Sequence, residues 1–256
     1  MLRTFANGAP MTADEVAAIE RATLAAVPPA AQEELEGWLL ALDPGTVGRA
    51  ASAVPLAHAP PAAGVRSRIE ARYRAHGLAP RFRLARVAAF DGLREDLQAA
   101  GYQTRDPTCV QVGLVPDIAQ LKATPVDVHL ADQPDAGWAE LFLGGGFEPV
   151  DAASRLGILQ RARHSVFASV RIDGRTRAVG SACFSHGWCG LHAMRTAPDA
   201  RGRGLASAIL AALARQAAQR GFERAMLQVE AGNAAARSLY GAAGFRDAWT
   251  YEYWRA

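Results

Sequence analysis

The feature that most constrains the fold is a repeated unit. Leu97-Gln98-Ala99-Ala100-Gly101-Tyr102 resembles Tyr240-Gly241-Ala242-Ala243-Gly244-Phe245, with Gly101 and Gly244 143 positions apart. Gly77, which closes an earlier helical pattern, lies 144 positions before Gly221. Each unit reads as a helix end, a glycine suited to the left-handed cap, and an apolar residue that opens a strand. Two such units at nearly one offset imply two copies of one fold. Gly-capped, Ala-rich helices also arise independently, because glycine is the common cap. A chain of 256 residues is long enough for two domains.

The periodicity agrees with that division. Residues 12–26 read as an amphipathic helix opened by Thr12 and stopped by Pro28-Pro29. Short strands follow at 38–41 and 50–54, then a helix at 66–76, a strand at 81–85, a helix at 91–100 and a strand at 108–114. Residues 116–125 read as a linker. Beyond it come a strand at 126–130, helices at 136–143 and 152–161, and a hairpin, 166–172 with 178–185, turned by Asp173-Gly174. A strand at 189–196 precedes a helix at 205–220 with Leu205, Ile209, Leu213 and Ala217 on one stripe. A strand at 225–230, a helix at 234–243 and a strand at 248–254 complete the pattern.

The loop Arg201-Gly202-Arg203-Gly204-Leu205-Ala206 joins a strand to the long apolar helix. A helix N-terminus leaves backbone N–H groups without internal partners and carries partial positive charge. Gly202 and Gly204 allow a tight turn and close approach of an anion, and Arg201 and Arg203 could add charge-assisted bonds. Alone, Gly-x-Gly before a helix is weak evidence and is equally a tight turn. A P-loop is disfavoured because no lysine follows the glycines, and a dinucleotide fingerprint because Ser207 stands at the third glycine position.

The stretch Thr196-Ala-Pro198-Asp-Ala-Arg201-Gly-Arg-Gly204-Leu-Ala206 resembles the acetyl-CoA motif of the GNAT acyltransferase superfamily, Arg/Gln-x-x-Gly-x-Gly/Ala. Asn233-Ala-Ala-Ala-Arg-Ser-Leu239-Tyr240-Gly-Ala-Ala-Gly244-Phe245 resembles its second motif, in the same order and one helix and one strand later. The resemblance covers residues 126–256 well and the first half in outline. It implies an α/β (α+β) chain of two tandem domains, 1–120 degenerate and 126–256 catalytic, each a mixed, mostly antiparallel twisted sheet flanked by helices. It also implies an acetyl-CoA-dependent N-acetyltransferase acting on a primary amine of a small molecule or peptide, by direct attack on the thioester.

By that resemblance the amides of Arg201, Gly202, Arg203, Gly204, Leu205 and Ala206 hold the pyrophosphate. Met194 and Thr196 lie on the strand that pairs with the pantetheine arm, and Asn233 bonds the cofactor. Asn233 also suits a helix N-cap. Tyr240 matches the position that protonates the departing thiolate, and could otherwise pack as an aromatic at the helix end. For the base, Glu230 is the first candidate and His192 the second. A strand-end glutamate is as often a solvated charge, and a strand histidine as often a hydrogen-bonded core residue.

Cys183, His186, Cys189 and His192 recur every third residue, which superficially suggests zinc. Strand alternation puts Cys189 and His192 on opposite faces, so four converging ligands are not expected and no metal is assigned. The first half departs from the motif. Ala57-His-Ala-Pro-Pro61-Ala-Ala-Gly64 stands where its phosphate loop would be, two prolines there remove N–H donors, and Leu97 replaces Tyr240. One cofactor per chain is expected, with the first half packed against the catalytic half and walling the substrate site.

The net charge of +3 is small, the basic residues are dispersed, and Lys122 is the sole lysine. No nucleic-acid partner is expected. No run approaches the roughly 18 apolar residues of a membrane span. Residues 1–10 lack the apolar core of a signal peptide and the three cysteines give no disulfide framework, so a cytoplasmic monomer or homodimer is expected. Two rival functions remain at this point: a non-catalytic acyl-CoA-binding or regulatory module, and a structural interaction protein.

Overall fold

The computed structural model describes residues 11–144 and 148–256. The sequence reading of residues 1–10 falls outside that range. In the first half, α1 (Ala13–Ala26) precedes β1 (Ala31–Leu35), β2 (Trp38–Leu42), β3 (Ala53–Pro55), α2 (Val65–Ala75), β4 (Arg81–Ala85), α3 (Asp91–Ala99) and β5 (Gln103–Leu114). A short α4 (Val115–Ala119) leads to β6 (His129–Ala131), α5 (Ala136–Leu143), α6 (Pro149–Arg161), β7 (Ser165–Ile172), β8 (Arg175–Ser185) and β9 (Trp188–Thr196). The chain continues through α7 (Leu205–Gln219), β10 (Arg224–Glu230), α8 (Ala234–Ala242) and β11 (Arg246–Arg255).

These strands form one sheet in the order β1-β2-β3-β4-β11-β5-β10-β9-β8-β7-β6. Apart from the edge strand β6, the order is symmetric about the antiparallel pair of β11 and β5. The crossover through α2 joins parallel neighbours β3 and β4, and that through α7 joins β9 and β10. The other pairings are antiparallel. Each half gives its last strand to the other: β11 pairs with β4, and β5 pairs with β10. The fold is thus two GNAT-like α/β units interlocked through the middle of one twisted sheet.

The repeated glycines close their helices identically. Leu78 donates its N–H to Tyr73 O and Phe222 to Ala217 O, both at 2.9 Å. Tyr102 donates to Leu97 O and Phe245 to Tyr240 O, both at 3.0 Å. This six-to-one bond needs a left-handed residue just before its donor, and Gly77, Gly101, Gly221 and Gly244 supply it at φ of 68, 86, 78 and 87°.

Apolar stripes place the helices. Leu205, Ile209 and Leu213 of α7 pack on Leu191 and Leu227, while Ile69 of α2 and Leu97 of α3 pack on Phe82 and Trp254. The opposite face of the sheet is covered by α1, whose Val16 and Ile19 meet Val110, Trp188 and Met226. Thr12 and Glu15 start α1 with a reciprocal capping box.

Several sequence readings change. The strand read at 50–54 is a 3-10 turn, Gly48–Ala51, followed by the shorter β3. β1 went unread because its residues are polar and largely exposed; it is held by pairing with β2 across Glu36-Gly37, at φ of 49 and 80°. The stretch read as a linker contains α4, with Pro116 in its first turn and Val115 and Ile118 fully buried beside α7. The helical spacing of those two apolar residues was the available signal.

Candidate active site

β9 and β10 run side by side only through Cys189–Leu191 and Ala225–Leu227. Beyond Leu191 and Leu227 they part, which opens a gap in the middle of the sheet. A bulge in β9 assists the parting. Ser181 pairs with His192 and Val179 with Arg195, so Ala193 and Met194 together face Gly180. Ala193 takes φ 55°, and a Cβ at Gly180 would press on the Met194 sulfur and on Ile209, so a side chain there would displace them.

On the α7 side, the gap continues into a cavity of about 690 Å³ lined by Met194, Thr196, Arg201, Gly204, Asn233 and Tyr240, among others. Gly202 and Gly204 both take φ 73°, which turns the loop tightly before α7 begins. The first backbone bond of the helix is Ala208 N–H to Gly204 O at 3.1 Å. The amides of residues 202–207 therefore stay unspent within the helix, and the macrodipole adds to their positive potential. Thr124 braces the turn by donating to Arg203 O at 2.9 Å, close against Gly204.

The candidate residues divide by placement. Gly202, Ala206 and Ser207 line the cavity with Arg201 and Gly204; Arg203 is exposed and away from the lining, and the Leu205 side chain is buried in the core. For Arg203 and Leu205 only the backbone amide is left to serve an anion at this turn. Ser207 and Arg195 also line the cavity and were missed as ligand-facing residues. Ser207 could have been found, since it lies in the helix's first turn. Asn233 caps α8 by accepting from Ala236 N–H at 3.1 Å while bordering the cavity, so both of its sequence roles are compatible.

Tyr240 projects from α8 to the cavity and packs edge-on against Phe245, ring centroids 6.0 Å apart. Burial pushes its phenol up to about 12. Arg195 donates to Phe142 O at 2.7 Å, and burial together with the nearby Arg155 and Arg201 charges lowers its pKa. Positive charge is thus concentrated at the cavity rim.

The α1 side of the gap carries buried polar groups from both halves. Gln228, the first β10 residue past the parting, donates to Thr23 Oγ1 at 3.0 Å and accepts from Tyr251 Oη at 3.0 Å. Arg49 reaches it from the 3-10 turn Gly48–Ala51 in the first half. Arg83 and Glu20 form a fully buried pair at 2.5 Å, with the guanidinium stacked 5.0 Å from the Tyr251 ring. Glu230 follows Gln228 on the same face and is exposed.

His192 is buried, and neither ring nitrogen has a hydrogen-bond partner among the described residues. Burial, with a smaller contribution from the Arg49 charge, lowers its pKa to about 3. So weak a base is poorly suited to deprotonate an ammonium. His186 is a turn residue at φ 49°, bonded to Ser185 Oγ, and Cys183 and Cys189 lie opposite Gly190 and Phe184 on different faces. Among the described residues, no group of three or more His, Cys, Asp or Glu could hold a metal. No described helix is long and apolar enough to cross a membrane.

The gap, the glycine turn and the tyrosine can be set beside known proteins. An N-acetyltransferase of uncharacterized function, YobR from Bacillus subtilis, is 27% identical over 244 residues, covering 94% of this chain and 98% of that protein. The solved GCN5-related N-acetyltransferase from Kribbella flavida superposes with TM-score 0.69 at 20% identity, over 94% of this chain and 95% of its own. A tandem GNAT protein from the clavulanic acid biosynthesis pathway superposes with TM-score 0.61 at 14% identity, over 96% and 97%. The family model described as "Probable histone acetyltransferase Rv0428c C-terminal" matches residues 12–254. The chain belongs to that family, and it shares its fold with the solved GNAT N-acetyltransferases.

Proposed function

We propose that the chain is an N-acetyltransferase that moves the acetyl group of acetyl-CoA to a primary amine of a small molecule or peptide. The observation that carries this reading is the unspent row of amides at 202–207, opening onto a cavity that ends at Tyr240. The pyrophosphate would rest on those amides with Arg201 beside it, and the thioester would enter the gap between β9 and β10. Met194 and Thr196 lie on the edge that β9 exposes where it leaves β10, and a pantetheine arm could pair there like a strand.

The amine approaches from the α1 side and attacks as the free base. Its nitrogen lone pair forms the bond to the carbonyl carbon, and the C–S bond breaks to release CoA as a thiolate. The ammonium proton goes to Glu230, directly or through water. Burial makes Tyr240 a poorer acid than a free phenol, so its first contribution is a hydrogen bond to the developing thiolate. Free Cys109, Cys183 and Cys189, all buried, suit a reducing cytoplasm.

The test is acetyl-CoA-dependent release of free thiol across a panel of amines. Amine-dependent release that falls sharply in Tyr240→Phe supports the reading. Tight acetyl-CoA binding without amine-dependent release would point instead to a non-catalytic acyl-CoA-binding module.

A further inference from the structure

Several guanidinium groups contributed by both halves already have carboxylate partners. Arg83 pairs with Glu20, Arg155 with Asp151 and Arg161 with Asp43. Arg49 differs. Among the described residues it has no carboxylate partner, and its one hydrogen bond is a long one, 3.4 Å to Gln228 Oε1. That oxygen already accepts from Tyr251, so Arg49 is not needed to satisfy it. Most of the five guanidinium donors remain available.

The turn that carries Arg49 is fixed in place. A Cβ at Gly48 would lie 2.8 Å from the Tyr253 ring, so backbone packs directly on the aromatic. Thr46 bonds Asp151 of α6, and Ala50 N–H bonds Val47 O at 2.9 Å. A second group points the same way. His192, on the same face of the parting strands, is buried with both ring nitrogens unpartnered and is held neutral by burial and by the Arg49 charge. The acceptor side thus presents one fixed cation beside a neutral imidazole.

We propose that Arg49, supplied by the first half, selects acceptors that carry an anionic group, carboxylate or phosphate, near the amine. This rests on the acetyl-transfer reading above. The guanidinium pairs with the anion in its planar fork. Its charge also disfavours the ammonium form of the bound amine, so the nucleophile is more readily neutral. The first half would thereby have exchanged a cofactor loop for a part in acceptor choice.

The test compares matched acceptors by kcat/KM for thiol release: phenylalanine against phenethylamine, O-phosphoethanolamine against propylamine, and spermidine as a cation. The wild type is expected to favour one anionic member over its neutral partner, and which pair responds identifies carboxylate or phosphate. In Arg49→Gln that preference should fall by about 10–100-fold, the range of a charge-assisted bond. Arg49→Lys should restore part of it, which a general loss of folding would not permit. If the wild type binds acetyl-CoA and releases thiol with neutral or cationic amines equally well, or if Arg49→Gln keeps the preference, the proposal is overturned alone. If the wild type does not bind acetyl-CoA, the acetyl-transfer reading falls and the proposal falls with it.

Discussion

The starts of α2 and α7 are equivalent positions in the two halves, and they differ in how they use the same backbone. Both helices are entered through a left-handed glycine with no side-chain cap, Gly64 at φ 70° and Gly204 at φ 73°. Before Gly64, Pro60 and Pro61 lack N–H groups, and Val65 N–H turns back to Ala62 O at 3.2 Å. Arg68 then folds over the turn, bonding Ala63 O at 3.0 Å and Glu36 at 2.6 Å. At α7 the amides are left open and a cavity lies over them. The first copy has fewer donors to offer and an arginine folded over its turn, whereas the second keeps its donors open beneath a cavity. A helix N-terminus becomes an anion site only when the chain around it leaves the donors unspent.

The sharpest way to break this comparison is to add one methyl group to each glycine. Gly204→Ala forces a left-handed alanine and places its Cβ 2.4 Å from Thr124 Oγ1, so the loop must move. Acetyl-CoA affinity should drop about 10²-fold, from losing roughly two charge-assisted bonds. Gly64→Ala meets only the flexible end of Arg68 at 3.1 Å and should cost about 1–2 kcal/mol of stability with cofactor affinity retained. Calorimetric titration and denaturant melts of both variants decide it.

The next contrast is Tyr240 against Leu97, which hold the same place in the two copies. Tyr240→Phe should lower kcat by about 10²-fold, the usual weight of one hydrogen bond to developing charge, while acetyl-CoA still binds. Leu97→Ala removes a fully buried side chain and should cost about 2–5 kcal/mol of stability, read in urea. A normal kcat in Tyr240→Phe would remove it from the chemistry.

Histidines extend the comparison to pH. Burial lowers the pKa of both His58 in the first half and His192 in the second, the latter to about 3. Each is harder to protonate folded than unfolded, where imidazole titrates near 6.5, so its stabilising contribution is present above that pH and is lost as pH falls. For His192 the loss runs from about 6.5 down to about 3, at up to ~1.4 kcal/mol per pH unit. His192→Leu should flatten that part of a stability-against-pH curve; an unchanged slope would show that the imidazole takes up its proton while folded.

The smallest effect is expected at the helix starts of the repeated unit. α8 is capped by the Asn233 side chain, whereas α3, after Phe90, has no side-chain cap. Asn233→Ala should cost about 1 kcal/mol in thermal or urea melts. A loss of acetyl-CoA affinity beyond that of a loosened helix would add a direct cofactor contact to its role.

Most of the elements were legible because their signals are local. The Gly77, Gly101, Gly221 and Gly244 caps, the Asp173-Gly174 hairpin and the α7 stripe each depend on residues a few positions apart. The exchange of β5 and β11 was not legible, because pairing partners such as Gln103 and Arg255 are set by the whole sheet. The cavity beside α7 was foreshadowed by two short motifs. The polar cluster on the α1 side of the gap was not: Arg49, Thr23, Gln228 and Tyr251 come from four distant segments with no shared spacing, and only the fold brings them together.

The central claim is that one of the two equivalent helix starts, and not the other, receives the cofactor. Isothermal titration of the wild-type chain with acetyl-CoA measures it directly. One site per chain is expected, weakened about 10²-fold in Gly204→Ala and unchanged in Gly64→Ala. Two sites, none, or a single site that keeps its affinity in Gly204→Ala and loses it in Gly64→Ala would contradict that claim.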